Sequence, residues 1–123
     1  MQKEHFSIKK RIRSFGYAFN GLRVFFSREH NAWIHGTAAV VAIAGGAIIG
    51  LEPCEWIAVA IVIGMVFAAE IVNTAIEYLC DMICPDYHKT IGTIKDLAAA
   101  AVVVCAIVAV AVAAIIIANH YLL

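Results

Sequence analysis

Apolar residues dominate three stretches of the chain, Ala32 to Leu51, Trp56 to Leu79 and Leu97 to Asn119. Each holds roughly 20 residues or slightly more, which at about 1.5 Å per residue is enough helix to cross about 30 Å of hydrocarbon. Three transmembrane helices are predicted over 32–51, 56–79 and 97–119. Ahead of them, Ile8, Ile12, Phe15, Phe19, Leu22 and Phe26 recur at steps of four and three, which places them on one helical face. Lys9, Lys10, Arg13, Ser14 and Asn20 lie away from that stripe. The pattern predicts an amphipathic basic helix over about 6–30, resting in the headgroup layer or docked as an arm on the bundle. The first span begins too far from the N-terminus to be a cleaved signal peptide. The whole reads as an all-α membrane protein with one membrane domain over 1–123.

Composition agrees with the pattern. The chain is 63% hydrophobic and 15% charged, more apolar than a water-soluble domain of this length can cover. Zero formal net charge suggests no nucleic-acid partner. The basic residues are nonetheless placed unevenly. Lys3, Lys9, Lys10, Arg11, Arg13, Arg23 and Arg28 precede the first span, and Lys89 and Lys95 lie between the second and third. The connection Glu52-Pro53-Cys54-Glu55 and the tail after Asn119 hold none. The excess of Lys and Arg on one side predicts a cytoplasmic N-terminus and an outer C-terminus. That orientation puts only Cys54 on the oxidising side, so no disulfide framework is expected from Cys54, Cys80, Cys84 and Cys105.

Polar residues inside the apolar stretches mark where chemistry can reside. Glu70, Asn73 and Glu77 stand in the second span at steps of three and four, and so project from one face, with Asp81 continuing the row. A single ionisable residue deep in a bilayer costs about 2.5–3.5 kcal/mol, so the carboxylates need compensation, by a divalent cation or a lysine. Glu70 and Glu77 are about 10 Å apart along the helix, a separation suited to two jobs at one site. Glu77, nearer the cytoplasm, can hold Mg²⁺ through oxygen, and Glu70, deeper and less hydrated, can accept a proton from a lipid hydroxyl. Lys95 and Asp96 open the third span at the same level, where a lysine can neutralise phosphate. Glu29, at the end of the amphipathic helix, can complete the metal site. The inner connection, roughly Cys84 to Ile94, is polar and reaches water; the outer one is a tight structural turn. His30, His35 and His88 show no zinc spacing. There is no G-x-x-x-x-G-K-(S/T) loop and no protein-kinase signature, so any nucleotide binds without a P-loop. Three thin helices enclose a polar site poorly, and oligomerisation is expected.

The run Glu70-Ile71-Val72-Asn73-Thr74-Ala75-Ile76-Glu77, with Asp81 following, resembles the E-x-x-N-(S/T)-A-I-E-x-x-x-D signature of the prokaryotic diacylglycerol kinase and undecaprenol kinase family. Ala18-Phe19-Asn20-Gly21-Leu22-Arg23, Glu29 and Lys95-Asp96 match its other landmarks, and the correspondence runs from about Phe6 to the end of the third span. The resemblance implies a homotrimer in the bacterial cytoplasmic membrane, with active sites shared between neighbours, that transfers the γ-phosphoryl of ATP to a membrane-embedded alcohol. It implies Glu70 as catalytic base, Glu29 and Glu77 as Mg²⁺ ligands that also face the nucleotide, and Asn73 as support. Lys10, Tyr17, Asp86, Tyr87, His88, Lys95 and Asp96 would contact ATP. The segment Glu29-His30-Asn31-Ala32-Trp33-Ile34-His35 is similar to the E-x-N-x-x-(I/F)-H segment of the undecaprenol kinase branch, and so favours undecaprenol over diacylglycerol as acceptor.

Two other classes compete. A small transporter or channel subunit would use the carboxylates as a cation pathway, but it needs polar residues along the whole crossing. Here they occupy only the inner half of the second span. A purely structural membrane subunit leaves the aligned carboxylates without a purpose.

Overall fold

A computed structural model of the chain describes residues 5–123; Lys3, and residues 1–4 of the expected membrane domain, lie outside them. Among the described residues the fold is four α-helices: α1 (Ile8–Arg28), α2 (His30–Ile49), α3 (Pro53–Ile83) and α4 (Lys89–Tyr121). The last three are long and apolar enough to cross a membrane. Each boundary has a local cause. The Ser7 hydroxyl accepts from the Lys10 amide at the start of α1, as an N-cap does. Gly50 ends α2 at φ 81, a left-handed conformation that glycine adopts without steric cost. Pro53 opens α3, where its missing N–H is no loss, and the Glu55 carboxylate accepts from the Glu52 amide at 3.1 Å.

The expected inner loop is shorter than its polar composition suggests. Only Cys84 to His88 leave the helices, and Thr90, Gly92 and Thr93 belong to α4. His88 Nδ1 accepts from the Thr90 amide at 3.2 Å, and the Thr93 hydroxyl returns to the Lys89 carbonyl at 3.0 Å. These short polar side chains bond locally to the backbone, and so start a helix here rather than interrupt one.

Helices α3 and α4 form the main packing pair, with α2 leaning on α3 and α1 touching α2 near their junction. The α3–α4 hairpin is antiparallel and joined by polar side-chain contacts near both ends: Lys95 Nζ pairs with Asp81 beside the loop at 2.5 Å, and His120 Nε2 lies 2.9 Å from Glu55 at the far end. The inward stripe of α3 runs Val62, Val66, Glu70, Asn73, Thr74 and Cys80, all buried. It changes from apolar to polar at Glu70.

Glu29 is the one residue between α1 and α2, and its extended backbone (φ −106, ψ 122) turns the chain there. The elbow is pinned by Phe25, 2% exposed, and Ala32, fully buried. Phe25 and Phe26 pack against Phe67 of α3, with ring centroids 6.4 and 5.8 Å away. Elsewhere the surface is apolar: Ile43, Ile61, Val110 and Ile115 are at least half exposed, as are Ile8, Ile12, Phe15 and Phe19 along α1. Patches this extensive mark surfaces that face lipid or other protein.

Candidate functional site

The polar stripe of α3 faces its neighbours through a short series of bonds. Glu70, 3% exposed, is the most buried charged residue among those described. Its Oε1 lies 2.9 Å from His35 Nε2 on α2, and its Oε2 is buried with no partner among the described residues. One turn along α3, the Asn73 amide donates to Glu77 Oε1 at 3.2 Å, leaving Asn73 Oδ1 buried and unpartnered. Next to Glu77, the Tyr78 hydroxyl donates to Glu29 Oε1 at 2.6 Å. Asp81 is engaged by Lys95 of α4.

Buried polar atoms are rarely left unbonded, so these two atoms, three residues apart, are places where a further polar group can bond. The space next to His35, which bonds Glu70, suits an apolar ligand. A groove of about 220 Å³ runs between α2, α3 and α4, lined by residues including Ala38, Ala42, Val62, Val66, Phe67 and Ala109. His35, which bonds Glu70, is the only lining residue with a polar side chain.

A second, polar depression of about 130 Å³ lies at the α3–α4 loop, where Asp86, Tyr87, His88, Gly92 and Lys95 meet. The start of α4 adds the positive end of its helix dipole, and Lys95 adds a charge, so this corner is suited to an anion. Asp96 follows on α4, exposed. Lys10 and Tyr17 stand on α1 and do not line this depression.

For a metal, the described residues gather no cluster of three or more His, Cys, Asp or Glu side chains. The donors that are present still fit Mg²⁺, which keeps its waters and binds through one or two carboxylates plus substrate phosphates. Glu29 and Glu77 each give one oxygen to a protein donor and carry a second.

The family profile described as prokaryotic diacylglycerol kinase matches residues 16–117, which hold the elbow, the acidic row, the loop and Lys95. The chain belongs to the prokaryotic diacylglycerol kinase family. It is 34% identical over 97 residues to the undecaprenol kinase of Bacillus subtilis, covering 79% of each protein. It is 30% identical over 110 residues to the diacylglycerol kinase of Escherichia coli K12, covering 89% of this chain and 90% of that one. As a member of the prokaryotic diacylglycerol kinase family the protein is a lipid kinase, performs ATP-dependent phosphoryl transfer, and is a multi-pass bacterial membrane protein. The transporter and structural-subunit readings give way to an enzyme.

Three contacts escaped the sequence reading. His35, which the sequence offers only as a histidine without zinc spacing and as the end of the Glu29–His35 segment, partners Glu70. Tyr78 carries no sequence signal beyond its place next to Glu77, and it bonds Glu29. His120 meets Glu55 across the far end of the hairpin. A signal for His35 did exist: a carboxylate in an apolar span needs a donor, and His35 is one of the few polar side chains, with His30, Asn31 and Thr37, in the N-terminal part of α2.

Proposed function

We propose that the protein transfers the γ-phosphoryl of ATP to the hydroxyl of undecaprenol, giving undecaprenyl phosphate at the cytoplasmic face of the membrane. The observation that carries the reaction is Glu70: a buried carboxylate with one oxygen unpartnered and the other held by His35, which lines an apolar groove. In this reading Glu70 Oε2 takes the proton as the acceptor oxygen attacks the γ-phosphorus, and ADP leaves. Undecaprenol is favoured by the segment from Glu29 to His35, and the identity to a relative named undecaprenol kinase is in keeping with it.

The other roles follow from chemistry and position. Glu29 and Glu77 would hold Mg²⁺, which when bound neutralises charge on the ATP phosphates. Asn73 orients Glu77 through its amide, and Asp81 steadies Lys95. Asp86, Tyr87, His88, Lys95 and Asp96 would receive the nucleotide at the loop. Lys10 and Tyr17, carried on α1, would reach the nucleotide in a homotrimer whose sites form between neighbours. The exposed apolar faces of α2 and α4 are in keeping with such an assembly. The one-sided Lys and Arg distribution supports an N-terminus inside and a C-terminus outside.

The test is phosphoryl transfer by purified protein in mixed micelles, with labelled ATP and a panel containing undecaprenol, diacylglycerol and related lipid alcohols. Label should enter undecaprenol fastest. Faster labelling of diacylglycerol would overturn the acceptor assignment while leaving the reaction in place.

A further inference from the structure

The acidic row accounts for Glu70 but not for the imidazole held against it. His35 stands five residues into α2, its side chain 21% exposed, with Nε2 at 2.9 Å from Glu70 Oε1. The ring of Phe67, one turn before Glu70 on α3, meets the His35 ring edge to face, with centroids 6.4 Å apart and an interplanar angle of 71°. Phe67 is itself packed against Phe25 and Phe26 of the elbow. The imidazole is therefore fixed on one side by an aromatic cluster and on the other by the carboxylate.

An ionised carboxylate only accepts hydrogen bonds, so the nitrogen facing it carries the proton and donates. His35 can do this as a neutral ring, without bringing a second charge into the span. The remaining neighbours leave it this role. Of the two basic side chains at the head of α4, Lys89 is exposed at its first position and Lys95 is engaged by Asp81 beyond Glu77, and the Asn73 amide is given to Glu77. Between Asp96 and His120, α4 carries no charged side chain, Cys105 being its titratable member. A carboxylate held at one oxygen cannot swing about its terminal bond, so Oε2 keeps one direction.

We propose that His35 is a positioning residue for phosphoryl transfer: its Nε2–H clamps Glu70 through Oε1 and so aims Oε2 at the acceptor hydroxyl. The proposal rests on the reading of Glu70 as the base. His35 takes no proton in the step; the hydroxyl proton passes to Glu70 Oε2, the acceptor oxygen bonds the γ-phosphorus, and the bond to ADP breaks. Orientation of this kind is worth much in rate, since a reacting group displaced by about 1 Å can lose on the order of 10²-fold.

Three His35 variants and Glu70→Gln test it, with kcat and KM for ATP measured in mixed micelles per folded protein, beside thermal stability. His35→Leu removes the donor, and kcat should fall about 10- to 10²-fold with the KM for ATP unchanged. His35→Gln places an amide N–H near the original Nε2 and should recover most of that loss. His35→Asn keeps polarity but is too short to reach Glu70, so it should resemble His35→Leu, and it serves if the leucine variant does not fold. Parental kcat in His35→Asn, or equal losses in His35→Gln and His35→Asn tracking lowered stability, would overturn the clamp. An active Glu70→Gln would instead reject Glu70 as the base, so the two failures are distinguishable.

Discussion

The Tyr78 hydroxyl reaches 2.6 Å across from α3 to Glu29, the single extended residue between α1 and α2. Asn73 holds Glu77 while Tyr78, the residue after Glu77, fastens Glu29, so two carboxylates from distant parts of the sequence are set by one stretch of α3. The bond lies at a partly exposed site, Tyr78 being 45% exposed, so its energetic weight is below that of a buried charge-assisted bond.

Removing that hydroxyl should therefore loosen Glu29 without unfolding the elbow, which Phe25 and Ala32 hold. Tyr78→Phe is expected to raise the Mg²⁺ concentration for half-maximal rate by about two- to fivefold, the equivalent of roughly 0.5–1 kcal/mol. A Mg²⁺ titration of initial rate checks this; a curve superimposed on the parent's would show that Tyr78 does not orient Glu29.

The carboxylates themselves should matter more. Glu29→Gln and Glu77→Gln each keep shape but lose the charge that a hard cation seeks. Both should lower activity and raise the Mg²⁺ requirement beyond the change in Tyr78→Phe. Parental rates for both at limiting Mg²⁺ would mean the metal is held elsewhere.

Glu70→Gln separates chemistry from scaffolding. The amide oxygen can still accept from His35 Nε2, while a charge that is costly to bury disappears. The variant should be at least as stable as the parent in detergent, and its transfer rate should fall by about 10²–10⁴-fold, the usual contribution of a positioned general base. A structural ion pair predicts the reverse, with stability lost by roughly 3–5 kcal/mol and turnover of the folded fraction kept.

Topology has its own test. Cys54 is exposed at the α2–α3 turn, and Cys84 starts the α3–α4 loop at the other end of the hairpin, its thiol bonded to the Asp86 carbonyl. An impermeant thiol probe outside intact cells should label Cys54 and spare Cys84. Labelling of Cys84 alone would invert the orientation.

Much of this architecture could be read from residue spacing. The apolar runs 56–79 and 97–119 lie wholly within α3 and α4, the run 32–51 lies in α2 as far as Ile49, and the steps Glu70, Asn73, Glu77 put those side chains on one side of α3. Helix ends were less legible, because the residues from Lys89 to Ile94 look polar enough for a loop until His88 is seen capping them. His35 opposite Glu70 was hidden for a related reason. Depth cannot be matched across two helices when one of them, α3, continues to Ile83, well past the acidic row. The Tyr78–Glu29 bond depends on the angle of the elbow, which rests on aromatic packing rather than on any local pattern.

Helix α3 is unbroken from Pro53 to Ile83, and from Pro53 to Glu70 it rises about 26 Å. In the proposed orientation that sets Glu70 a fixed distance from the outer surface, close to the inner edge of a hydrocarbon layer about 30 Å thick. A rigid rod cannot shorten when the layer changes; it can only tilt or deform the lipid around it, at a fraction of a kcal/mol per Å of mismatch. With Glu70 as the proposed base, acyl-chain length would thereby act as a control on the enzyme, because a thicker membrane would draw Glu70 away from the headgroup level.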